Sequence, residues 1–338
     1  MSPEPRSLRE SCAGPATVVV DIGAGSVEVR LAPESGPETE PPGASETTGE
    51  HPPLPGEVRV TVDVAPSSAT SSMTTSGTTT SSTTTSSTTS STEGGVTALL
   101  GWLERLAPDL ADSSSPSGAE RAERALAAVE IGWEDGTLTV RGPRDPELCA
   151  VGLAVTVTAP DSSALRIEAG VATVRVSGRS GPATVVTTGA IALADAGGPT
   201  DVRCGAGRVT VGRATAPLTL TGGAGRIEVG TVLAHAEIST GAGRVHLREV
   251  GADVTVRSGA GAITVDDASS GRLDLSTRAG AVRIGVHDGV DAEVDLRTQA
   301  GRATSDLPVG SSAPAAGAPL SIRGRSGAGE VRVGAVHA

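Results

Sequence analysis

The chain contains no Phe, Tyr, Lys or Asn, and its only tryptophans are Trp102 and Trp133. A core built without those rings must be filled by Val, Leu, Ile and Ala. Such small, branched side chains suit thin, regularly layered structures better than a thick globular interior. A GC-rich genome, which disfavours the missing codons, explains the same gaps equally well. Cysteine is scarce too: Cys12, Cys149 and Cys204 lie far apart with no CxxC spacing, so neither a zinc site nor a disulfide framework is indicated. The histidines are scattered, with His235 and His246 the nearest pair, and nothing resembles HExxH. No metal or cofactor is expected.

Long apolar runs are absent as well. No stretch of about eighteen apolar residues occurs, so no membrane span is expected, and the opening MSPEPRSLRESCAG has charges of both signs but no apolar core. The default expectation is a cytoplasmic protein; a start codon assigned too far downstream would make the cell surface the alternative. The net charge of −12 is unevenly spread: residues 1–164 carry 9 Arg against 23 Asp and Glu, residues 165–338 carry 18 Arg against 16. A nearly neutral second half and an acidic first half offer no broad basic footprint for a nucleic-acid backbone.

What is abundant is glycine, and it recurs. GAG begins at Gly205, Gly223, Gly241 and Gly259, each 18 residues after the last. TTGAIAL from Thr187 keeps that spacing, and GVATVRV around Val174 falls one residue short of it. Downstream the pattern returns more loosely as RAGAVRI, QAGRATS and SGAGEVRV, spaced by insertions such as the Pro/Ala/Gly-rich run at 308–319. Within a unit apolar and polar residues alternate, as in Val209/Val211, Leu218/Leu220, Ile227/Val229 and Ala236/Ile238. Period two means strands. Each unit therefore supplies two short strands separated by a glycine corner. A coil in which each strand stacks on its equivalent one unit later explains the constant period more simply than a hairpin does. The expected fold is all-β, a parallel β-helix or β-solenoid with 18-residue repeats plus a small helical and disordered insertion. About nine rungs at roughly 4.8 Å each give a rod of roughly 40 Å.

The signature appears once more, early, in PATVVVDIGAGSVEVRL, and residues 57–64 alternate similarly. We expect the first solenoid strands over 15–64, a disordered insertion over 65–93, a helical insertion over 94–130 and the main repeats over 131–338. In the tract 67–92, 23 of 26 residues are Ser or Thr, too few apolar groups to bury a core. GVTALLGWLERLAPDL and residues 118–130 have helical spacing or composition, and both helices are expected to cover an end or side of the rod.

Aligned residues in such a rod form ladders. Arg208, Arg226 and Arg244 make an outward one, which either binds a polyanion or is a plain solvated face neutralised by Glu228, Glu237 and Glu249. Each GAG leads into a strand rather than a helix, so the phosphate-loop reading fails on context. Asp does not recur with the repeat as calcium-binding solenoids require; Asp266/Asp267 and the alternating Asp291, Glu293 and Asp295 offer at most loose cation binding. No GxSxG elbow stands out, and the tryptophans lie outside the repeats, which leaves a polysaccharide lyase or hydrolase with thin support.

The phrases GAGRVTV, GAGRIEV and GAGAITV, with the early DIGAGSVEV, resemble the bacterial putative-adhesin family of β-strand-repeat proteins. The resemblance spans roughly residues 130–335 plus the opening strands. It implies a structural or interaction role, often at the envelope, and brings no catalytic residues. The expectation is a noncatalytic solenoid presenting ladder surfaces to a protein or envelope partner. An intracellular scaffold comes second and an enzyme third. Strand edges at the rod's ends also make self-association an expectation. Deleting residues 67–92 should leave the thermal unfolding midpoint nearly unchanged; a large drop would show that the tract is structural.

Overall fold

In the computed structural model, residues 4–12, 14–32, 57–65, 118–307 and 319–336 are described. The Ser/Thr tract, the helix expected around 96–106 and most of the Pro/Ala/Gly run lie outside them. The described chain is all-β. Its elements begin with β1 (Arg6–Ser11), β2 (Thr17–Ala32), β3 (Glu57–Val64), α1 (Gly118–Ala127), β4 (Glu130–Glu134), β5 (Thr137–Arg141), α2 (Pro146–Cys149) and β6 (Gly152–Pro160). The repeats follow as β7 (Ala164–Ser180), β8 (Ala183–Thr187), β9 (Ile191–Ala196), β10 (Thr200–Cys204), β11 (Val209–Ala214), β12 (Leu218–Val232) and β13 (Ala236–Val250). Then come β14 (Val254–Ala260), β15 (Ile263–Ala268), β16 (Gly271–Ala279), β17 (Val282–Val286), β18 (Ala292–Ala300), β19 (Ala303–Ser305), β20 (Leu320–Ala328) and β21 (Val331–Ala335).

The period of the sequence is the period of the pairing. β12 runs parallel to β13 from Leu218↔Ala236 to Val232↔Val250, an offset of 18 residues held on both sides of the glycine corner. The same register links β8 to β10, β10 to β12, β13 to β14 and β13 to β15, with one residue more or less at some steps. Alternation then sends Leu218, Leu220, Ile227 and Val229, with most of their equivalents in the layers from 17–32 to 320–335, into one continuous aliphatic core. No single layer buries much; neighbours bury one another.

The order of layers departs from the order of the sequence at both ends. At the amino-terminal end, β2 lies between β5/β6 on one side and β7 on the other. At the opposite end, β20/β21 pair with β16/β17 on one side and with β18/β19 on the other. The stack therefore reads 137–160, 17–32, 164–180, 183–196, 200–214, 218–232, 236–250, 254–268, 271–286, 320–335, 292–305. These eleven layers extend roughly 50 Å. The expectation of sequential stacking from the first signature to the last is corrected at these two points. The 17–32 and 320–335 segments are each held by backbone ladders on both sides, which fixes segments that would otherwise fray.

In β2, β7, β12 and β13 the corner is a bend within an unbroken strand, whereas in layers 183–196, 200–214, 254–268, 271–286, 292–305 and 320–335 it separates two strands as expected. The third corner residue takes φ of +132° at Gly225 and +140° at Gly261, where L side chains are strained. A Cβ on Gly261 would also fall on the carbonyl oxygen of Gly243, and one on Gly243 on that of Gly225. The same relation follows the spatial order at the end of the stack: Gly329 lies against Gly280, and Gly301 against Gly329.

Immediately inside the corner, Thr187, Cys204, Thr240, Ser258, Thr277 and Ser326 form a buried polar column. The side chains of Thr187, Cys204, Thr277 and Ser326 serve corner backbone that the bend takes off the strand ladder. Thr187 Oγ1 donates to Ala172 O (3.0 Å) and accepts from Gly189 N (3.1 Å), while Cys204 Sγ donates to Gly189 O (3.2 Å) and accepts from Gly207 N (3.2 Å). Thr277 Oγ1 donates to Gly261 O (3.2 Å) and Ser326 Oγ to Gly280 O (2.9 Å). Ser258 Oγ in this column is buried without a hydrogen-bond partner.

Antiparallel strands close the amino-terminal end. β3 pairs with β6, β1 with β3, and β4 folds onto β5 through Asp135 and Gly136, both at positive φ as a two-residue hairpin requires. α1 stops at Ala127, earlier than the expected 118–130, because Glu130 already belongs to β4. It contacts β3 and α2 at this end, and Arg6 of β1 donates to the carbonyls of Leu126 (3.4 Å), Ala127 (3.3 Å) and Val129, satisfying acceptors that a helix end leaves open.

Gly261→Ala should cost at least about 2 kcal/mol in chemical denaturation, from positive φ and the carbonyl overlap together; an unchanged midpoint would refute the close approach. In the polar column, Ser326→Ala should lose about 1 kcal/mol, whereas Ser258→Ala should be neutral or stabilising. Equal losses at the two sites would mean that Ser258 has a partner in solution.

Candidate interaction surface

Each arginine of the expected ladder follows the corner glycine of its layer. Arg226 and Arg244 are direct register partners, and Arg208 lies one layer before them, since Val209 pairs with Ile227. All three are exposed, at a spacing of roughly 4.8 Å per layer. The glutamates do not neutralise them as expected. Only Glu228 reaches the ladder, 3.4 Å from Arg226 Nη1. Glu237 projects from the other strand of its layer and pairs with Arg257 at 2.7 Å, and Glu249 accepts from Thr231 Oγ1 at 3.1 Å. Arg208 and Arg244 form no ion pair among the described residues.

Beyond Arg244 the column passes through Ala262 and Ala281, then, because of the inserted layer, through Glu330 to Arg302. A second basic column flanks the other side of the corner: Arg203, Arg257, Arg325 and Arg297, with Thr221, Ser239 and Ser276 at the intervening layers. Arg278, in place of the first corner glycine, opposes Gly327 between the columns. The strip between them is small and flat. Exposed Ala224, Ala242, Ala260, Ala279, Ala328 and Ala300 stand in register along its crest. Sequence reading found one column; the other needs the spatial order of the last layers.

The carboxylates singled out in the sequence are spread among different partners. Asp266 meets His246 Nε2 at 2.6 Å and Asp267 meets His287 Nδ1 at 2.9 Å. Asp295 is held by Arg297 at 2.9 Å, two residues along its own strand. Asp291 precedes β18 and lines an open groove of about 810 Å³ together with Arg283, His287, Asp306 and Arg332. Arg332 is tied to Asp306 at 2.7 Å. Glu293 shares the outward face of β18 with Asp295. Among the described residues no group of three His, Cys, Asp or Glu side chains converges as metal ligands would. These exposed pairs are individually weak. No helix among the described residues is long and apolar enough to cross a membrane.

Neither a family model nor a curated protein matches the chain. Among solved structures it is similar to a putative adhesin from Bacteroides fragilis, at 12% identity over 98% of this chain and 97% of that one, with a TM-score of 0.36. A putative adhesin from Parabacteroides distasonis aligns at 12% identity over 99% and 98%, TM-score 0.28. A putative cell adhesion protein from Clostridium sporogenes aligns at 7% identity over 98% and 100%, TM-score 0.19.

Proposed function

We propose that the chain is a noncatalytic, adhesin-like interaction module built as a β-solenoid. The observation that carries the reading is the register: parallel layers repeat their outward side chains in columns, so one surface chemistry is presented many times at a fixed spacing. Such a surface suits an extended or repetitive partner at the cell envelope. The resemblance of the GAG phrases to strand-repeat adhesins supports the same role.

A second reading, an intracellular scaffold, is favoured by the thiols. Cys12, Cys149 and Cys204 are all free, as cysteines are in a reducing compartment.

The modular part of the reading predicts that deletion of residues 223–240, one complete period, joins Gly222 to Gly241 and leaves a folded, cooperative protein one layer shorter. Circular dichroism and small-angle scattering read this out; loss of cooperative unfolding refutes modular coiling. The immobilised full-length chain should retain a washed envelope fraction of the host in preference to the soluble fraction. Retention of soluble proteins only would turn the assignment to the scaffold.

A further inference from the structure

We propose that the glycine–alanine corner of layers 200–305 and 320–335 is a binding track for a linear acidic polysaccharide whose carboxylates engage the two flanking arginine columns. The inference deepens the proposed function and rests on it.

Charge segregation is the first argument. The chain carries a net charge of −12, yet the corner positions of these seven layers hold nine arginines against Glu330; in the adjoining columns Asp201, Glu228, Glu237 and Asp295 pair with Arg203, Arg226, Arg257 and Arg297, and the other five arginines are left over. Toward the amino terminus the Arg203 position passes through Val186, Glu168 and Asp21 before Arg141 in the outermost layer, and the Arg208 position through Ala190, Thr173, Ser26 and Ala154. The basic track is thus a local feature of one end of the stack. Arg208, Arg244, Arg278, Arg302 and Arg325 form no ion pair among the described residues, and all five are exposed.

Shape is the second. Over seven layers the track extends roughly 30 Å, with a repeat of roughly 4.8 Å. Its crest is alanine methyl and glycine backbone except at Arg278 and Gln299, so an extended chain can lie against it while guanidiniums on either side reach its acid groups, bidentately where geometry allows. The occupant follows from what the track lacks. A protein interface would need a buried apolar or aromatic anchor, and the crest offers no apolar side chain larger than alanine, its larger members being the polar Arg278 and Gln299. A single-stranded nucleic acid would need aromatic stacking platforms; Trp133, on β4, lies at the opposite end of the stack. A polymer carrying regular carboxylates on sugar rings needs neither.

The test uses the full-length chain and polygalacturonate, with dextran as the neutral polymer and poly-glutamate and oligo-dT as the other polyanions. Isothermal titration at low and at physiological ionic strength should show binding to polygalacturonate that weakens with salt and none to dextran. Replacing Arg208, Arg244, Arg278, Arg302 and Arg325 by Ser should weaken binding by about tenfold or more, while Arg213→Ser with Arg283→Ser, away from the corner, should not. Should the fivefold variant fail to fold, the pair Arg208→Ser and Arg244→Ser gives the same reading at smaller amplitude. Absence of polygalacturonate binding, or binding undiminished in the variants, overturns the track. Equally tight binding of poly-glutamate or oligo-dT overturns the polysaccharide assignment. Retention of the envelope fraction separates the two levels: retention by wild type and variant alike leaves the module standing and removes the track, whereas retention by neither removes the module.

Discussion

The closeness of backbone to backbone at the corner is the constraint on which the other features depend. Successive layers approach there until the carbonyl oxygen of one glycine occupies the space that a Cβ of the next would need, as Gly243 does beneath Gly261. Strand pairing sets the layer spacing, the corner must turn within it, and a residue without a side chain satisfies both. Three consequences follow. The corner's outer surface is necessarily small, its inner surface must supply hydrogen bonds for backbone groups rotated off the ladder, and side chains of any size are displaced to the flanks. The alanine crest, the Ser/Thr/Cys column and the arginine columns are those consequences in order.

The polar column shows how a thin aliphatic core tolerates a bent backbone. A buried carbonyl without a donor costs on the order of 1 to 3 kcal/mol, and a repeated corner would incur that cost in every layer. A hydroxyl or thiol one residue before the corner glycines removes it where the bond forms, as at Thr187, Cys204, Thr277 and Ser326. Cys204 therefore serves as a weak donor and acceptor in a structural position.

Much of this architecture was legible in the residues because it is local and periodic. The spacing of Gly205, Gly223, Gly241 and Gly259 set the register, and alternation set which side chains face inward. The polar column could also have been read, since T, C or S directly precedes many of the corners, but buried hydroxyls give no hydropathy signal. The order of the end layers could not be read. Nothing in SGAGEVRV distinguishes a layer that follows QAGRATS from one that slips in front of it, because both match the same ladder; the choice is made by long-range pairing of Leu320–Ala328 with strands on either side. The second arginine column was hidden for the same reason, Arg325 and Arg297 being neighbours only once that order is known. Of the glutamates near the ladder in sequence, Glu228 reaches Arg226, whereas Glu237 is outward on the other strand of its layer, where it meets Arg257.

Insertion of terminal segments as second layers ties assembly to the whole chain. The outermost layer at the amino-terminal end, 137–160, has its coil-facing partner supplied by residues 17–32, and at the other end 292–305 is joined to the body only through 320–335. Neither end layer can dock in its final place before a segment distant in sequence has taken up position. Such pairing is non-local and slow to form relative to the repeats between, which can stack neighbour on neighbour. The body of the stack is thus able to form first, with the ends closing last. Closure also has a chemical effect at the carboxyl-terminal end: until 320–335 enters, Arg325 and Arg297 are not brought beside Arg257, and the basic corner is confined to the central layers. Completion of the fold and completion of the charged track are the same event.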